Sequence, residues 1–91
     1  MAVDQSVNGI KRATQQRLQY IELMAYYTGV VTRSDIAKAF GISDAAATKD
    51  LKFYSQLAPD NLLYKHAVFG FVPSEKFEEI FADLSPHQVF R

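Results

Sequence analysis

Three stretches carry apolar residues at helical spacing. The first two are closed by Gly29 and Gly41, the segment "VVT" separates them, and an aromatic-rich run follows a proline break at Pro59. These observations predict a mainly α fold: a winged helix-turn-helix, with a three-helix core plus small β-hairpin wing and a C-terminal helical extension. On this reading residues 1–12 form a flexible N-terminal arm, 13–73 the helix-turn-helix and wing, and 74–91 the helical extension.

From about Thr14 the first helix places Leu18, Ile21 and Ala25 on one stripe and Tyr20, Met24 and Tyr27 on a second beside it. Gly29 closes it, since glycine adopts the left-handed conformation that ends a helix without steric cost. "VVT" (30–32) then reads as a short extended segment, with Thr32 or Ser34 as cap of a second helix over 33–40 that buries Ile36, Ala37 and Phe40. After Gly41 and Ile42, Ser43 caps a third helix over 44–57, with Ala47, Leu51 and Tyr54 facing the core.

Pro59 and Asp60-Asn61 break that helix, and "LLYKHAVFGFV" (62–72) reads as a hairpin with Lys65 to Ala67 near its tip. Ser74 reads as the cap of a fourth helix, with Glu75 and Glu78 in its first turn and Phe77, Ile80, Phe81 and Leu84 on one stripe. Ser85-Pro86 suits the start of one more short helical turn.

The totals bound the function. Ninety-one residues hold one compact domain, and 48% hydrophobic with 22% charged residues fit a folded chain rather than a disordered one. The absence of cysteine excludes disulfides, thiolate metal sites and cysteine nucleophiles. With no apolar run of about 18–20 residues and no signal-like start, the reading is a cytoplasmic protein without a membrane partner.

Ten basic residues balance ten acidic ones, an unusual total for a nucleic-acid binder, but the distribution is uneven. Residues 1–57 hold seven Lys and Arg against five Asp and Glu; residues 58–91 hold three against five. The basic side is the helical half.

In this order of elements the third helix is the one that enters a DNA major groove, leading with its N-terminal end, where free backbone N–H groups favour phosphate. The predicted partner is double-stranded DNA. Base-reading candidates are Asp44, Ala45, Thr48, Lys49 and Lys52. Ala45 and Ala46 offer only apolar contact to thymine methyls. Phosphate candidates are Thr32, Arg33, Ser34 and Ser43 at helix starts and Lys65 on the wing. The alternative is a winged-helix protein-protein interaction module without DNA binding, favoured by the neutral total.

The motifs Arg33-x-Asp35, Phe40-Gly41-Ile42-Ser43, Asp50-Leu51-x-x-Tyr54 and Leu57-Ala58-Pro59-x-Asn61-Leu62-x-Tyr64 are more specific than a generic helix-turn-helix requires. Over about residues 17–81 the chain resembles the N-terminal winged-helix domain of WYL-domain transcriptional regulators, in particular the BrxR and CapW type of phage-defence repressor. That family usually has glutamine where this chain has Ala46, and often an arginine or other polar residue where it has Phe53. The resemblance implies a dimeric repressor. The stripes at Tyr20, Met24 and Tyr27 and at Phe77, Ile80 and Phe81 are then dimer candidates.

Several residues have plainer roles. Asp35 and Asp50 suit capping and pairing within the fold, and the tyrosines at helical spacing suit core and interface rather than stacking on single strands. His66 and His87 lack metal-ligand spacing, so no metal is expected. Without a phosphate loop, nucleophile elbow or paired carboxylates, the chain reads as no enzyme, with no cofactor and no small molecule bound within it.

Overall fold

The computed structural model describes residues 9–84. Most of the expected N-terminal arm (1–8) and the end of the chain (85–91), with His87 and the short helical turn expected at Ser85-Pro86, lie outside the described residues.

Helix α1 spans Arg12–Thr28 and buries Leu18, Ile21 and Ala25 completely, so the predicted stripe is the one that enters the core. Gly29 ends it at φ 84°, with its N–H bonded to the Ala25 carbonyl. Helix α2, Arg33–Phe40, begins with a capping box: the Thr32 hydroxyl accepts from the Asp35 N–H at 3.1 Å, and the Asp35 carboxylate accepts from the Thr32 N–H at 3.0 Å. Phe40 does not enter the core as expected. It is 36% exposed and meets Tyr20 edge-on at 5.3 Å, because at the last position of the helix it overhangs the flank of α1.

Helix α3, Asp44–Leu57, is capped by Ser43, whose Oγ accepts from the Ala46 N–H at 3.0 Å. Ala47, Leu51 and Tyr54 are its buried face. The side chain of Arg17 on α1 donates to both carboxylate oxygens of Asp50 at 2.5 and 3.3 Å and ties the two helices together. The pairing role read for Asp50 is thus filled from another helix.

Strand β1 (Leu62–Lys65) pairs antiparallel with β2 (Gly70–Pro73), from Leu62 opposite Pro73 to Lys65 opposite Gly70. A 3-10 turn, His66–Val68, makes the tip. Val31 adds a short third partner on the β2 side, exchanging both backbone hydrogen bonds with Phe71 at 2.9 and 2.8 Å. This fixes the wing to the linker between α1 and α2. Gly70 permits the approach, since a Cβ there would lie 2.8 Å from Val30 Cγ2 and 3.0 Å from the Val31 carbonyl.

The fourth helix is the main correction. Residues 74–84 form turns and bends with no helix, because several of their backbone donors are claimed by side chains, those of Asn61 and Glu22 buried. The Ser74 hydroxyl donates to the Asp60 carbonyl and accepts from the Lys76 N–H. Asn61 accepts the Glu78 N–H at 3.1 Å and donates to the Glu78 carbonyl at 2.7 Å. The N–H groups of Ile80, Phe81 and Ala82 then converge on the carboxylate of Glu22 at 2.7, 2.8 and 2.7 Å.

Because Glu22 holds their N–H groups, Ile80, Phe81 and Ala82 cannot donate to carbonyls four residues earlier, so no helix runs through residues 76–82. The expected apolar stripe partly survives: Phe77 and Phe81 pack on the core and Leu84 is buried, while Ile80 remains 43% exposed.

Candidate nucleic-acid interface

Residues of α3 three and four apart share a face, so Ala45, Thr48, Lys49 and Lys52 project together, opposite the buried Ala47, Leu51 and Tyr54. Asp44, Ala45, Lys49 and Lys52 are exposed and Thr48 is half-buried. The leading turn of the helix is therefore uncovered. Two small side chains, Ala45 and Ala46, leave its backbone open to close approach, and Asp44 is the single carboxylate in that turn.

Beside this face lies a groove of about 670 Å³ between α3, the start of α2 and the wing. Thr32 and Arg33 line one side, Thr48, Lys52, Ser55 and Gln56 the helix side, and Tyr64, Phe69 and Phe71 the wing. The fold thus brings four of the candidates, Thr32, Arg33, Thr48 and Lys52, into one concavity from parts of the chain up to twenty residues apart. Ser34, Ser43, Asp44, Ala45, Lys49 and Lys65 lie outside its lining.

The capping roles of Thr32 and Ser43 do not remove them from this surface. Each oxygen accepts a backbone N–H, which leaves the hydroxyl proton free to be donated to an anion. Arg33, Ser34 and Lys65 are exposed, at the start of α2 and the end of β1.

Of the expected contact stripes, Tyr20, Met24, Phe77 and Phe81 pack partly against the domain's own core, whereas Tyr27 (60%) and Ile80 (43%) stay exposed. Tyr26 meets Tyr27 edge-on at 5.0 Å and stacks on Phe77 at 6.4 Å, which joins the end of α1 to the 74–84 segment.

Sequence reasoning passed over the groove's wing side, Tyr64, Phe69 and Phe71, because an aromatic hairpin reads as core packing. It also passed over Glu22. The available signal was one carboxylate inside an apolar stripe, four residues after Leu18 and three before Ala25. Glu22 is fully buried, and its oxygens also receive the Tyr54 hydroxyl at 2.7 Å. Burial, opposed by the Asn61 hydrogen bond and reinforced by Glu22, pushes the Tyr54 hydroxyl well above the usual tyrosine pKa.

Among the described residues no group of three or more His, Asp or Glu side chains could hold a metal ion, and no helix is long and apolar enough to cross a membrane.

Residues 13–91 match the BrxR transcriptional regulator winged helix-turn-helix domain. The DNA-binding transcriptional repressor CapW of Stenotrophomonas maltophilia is 34% identical over 71 residues, 78% of this chain and 24% of that protein. CapW from Escherichia coli strain KTE188 is 32% identical over 73 residues, covering 80% of this chain and 24% of the relative. The Pseudomonas aeruginosa CapW is 30% identical over the same length and shares. The chain spans about a quarter of the length of these relatives.

Proposed function

The chain belongs to the BrxR transcriptional-regulator winged helix-turn-helix family, and on that premise we propose that it is a sequence-specific DNA-binding repressor domain whose α3 enters the major groove. The observation that carries this reading is the convergence of Arg33, Lys52, Thr32 and Thr48 in one groove beside an uncovered helix start. Cations and hydroxyls there meet a phosphodiester strand, while Thr48, Lys49 and Lys52 reach base edges. The neutral total is no obstacle, since much of the opposing charge lies in the segment after the wing, at Glu75, Glu78, Glu79 and Asp83.

A dimer fits the same reading, with a second copy on the exposed rings of Tyr26 and Tyr27 beside Phe77. Repression of phage-defence genes, in the cytoplasm where the chromosome lies, completes the proposal.

Titrating the domain against duplexes from its own upstream region at several salt concentrations tests it. The logarithm of the affinity should fall linearly with log salt, with a slope of about 0.9 per phosphate neutralised. Absence of binding at low salt, or binding indifferent to salt, would sink the DNA reading in favour of a protein partner.

A further inference from the structure

The leading face of α3 is poor in groups that read bases. Ala45 is exposed and Ala46 half-buried, and neither hydrogen-bonds to a base edge. The wing carries the opposite feature. Phe69 is the most exposed large hydrophobic residue described, at 70%, and its backbone sits at φ 51°, the left-handed region that disfavours a residue with a Cβ. A solvent-exposed ring and a strained backbone thus meet at one residue, and its contact with the His66 ring at 5.4 Å offsets little of either.

We propose that Phe69 is an apolar wedge that enters the DNA minor groove beside the α3 contact, so that the deformability of the duplex contributes to sequence choice. The inference rests on the DNA reading above. Phe69 lines the same groove as Arg33 and Lys52, and exposed Lys65 lies four residues before it, so a strand drawn in by these cations meets the ring at the wing wall.

The wedge is held stiffly. One residue on, Gly70 is seated against Val30 and Thr32 with no room for a Cβ, and Phe71 is bonded twice to Val31. A chain of rings runs from that base to the tip: Phe71 to Tyr64 at 5.2 Å, Tyr64 to His66 at 6.1 Å, His66 to Phe69 at 5.4 Å. An apolar ring pressed on a duplex finds sugar edges and, where a step unstacks, base faces. Pyrimidine–purine steps open most cheaply and A-tracts resist.

The test uses the 91-residue chain and duplexes of about 30 base pairs, well below the persistence length, selected by the domain from a random pool and labelled at both ends with a fluorophore pair. Wild type should bend the selected duplex and prefer a TA or CA step to an A-tract at one flanking position. Phe69→Ala and Phe69→Gly should abolish the bend and the step preference and weaken binding about tenfold, in the range for losing one stacked ring, with the salt slope unchanged.

Phe69→Gly separates binding from folding, because glycine relieves the left-handed strain and should melt no lower than wild type. The wedge is overturned if wild type binds while both variants bend and bind equally well, or if their losses are the same for every duplex and follow a lower melting temperature. Self-association of wild type through the wing, abolished by Phe69→Ala, would overturn it as well. Should wild type recover no duplex at all, the DNA reading falls first and the wedge with it.

Discussion

The start of α3 and the segment 74–84 are both places where sequence signals forecast a helix, and they came out differently. At Ser43 the cap acts on a residue three positions away, and α2 begins by the same device at Thr32. In the 74–84 segment the hydrogen bonds that shape the backbone reach across 17 residues to Asn61 and 58 to 60 residues to Glu22. A cap and an apolar spacing specify a helix only when no stronger partner bids for the same N–H groups. A buried carboxylate is such a partner, because charge-assisted bonds are stronger than amide–carbonyl bonds and a buried charge left without donors is costly.

The two regions also divide the labour. The helix start is exposed and locally stabilised, so its outward residues are free to meet a partner. The 74–84 segment straps α1 to the far side of α3 through Glu22, Tyr54 and Asn61. The Asn61 amide links the two, donating to the Tyr54 hydroxyl at 3.0 Å and to the Glu78 carbonyl.

The sharpest way to break this contrast is Glu22→Ala. It strands three backbone N–H groups and the Tyr54 hydroxyl, and the domain should lose about 3–5 kcal/mol in thermal or urea unfolding. Glu22→Gln keeps one acceptor and should lose less, with faster proteolysis within 74–84 as the sign that the strap has lifted. Unchanged stability in both variants would mean that the strap is held by its apolar residues alone.

On the exposed side, Lys49→Ala should weaken DNA binding by about 1–3 kcal/mol if it meets a base, yet leave the unfolding free energy within about 0.5 kcal/mol. Anisotropy titration and a melting curve measure the pair. A drop in both would blur the division between a reading surface and a holding segment.

Tyr54→Phe removes a hydroxyl from the buried network and should cost about 1–2 kcal/mol. It also carries a pH signature. Because burial raises the Tyr54 pKa above its ordinary value of 10.0, ionisation is easier in the unfolded chain. The stabilisation is complete below that value and is lost as the pH climbs from there toward the folded-state pKa. Wild type should therefore lose stability above pH 10 more steeply than Tyr54→Phe, and equal slopes would place the raised pKa in doubt. The smallest effect is expected for Ser43→Ala, about 1 kcal/mol for a lost helix cap, read by chemical denaturation.

What the sequence determined by itself was whatever depends on near neighbours: three helices, the caps of α2 and α3, the glycine stops of α1 and α2, the core stripe of Leu18, Ile21 and Ala25, and the hairpin after Pro59. Periodicity, capping chemistry and the left-handed tolerance of glycine act within about one helical turn, and one chain displays them. Tertiary structure alone decided that Arg17 would pair with Asp50, that α2, α3 and the wing would enclose one groove, and that Glu22 would gather the backbone of residues 80–82. These outcomes turn on which distant groups share a buried, weakly screened interior, where one carboxylate outcompetes a helix's own hydrogen bonds.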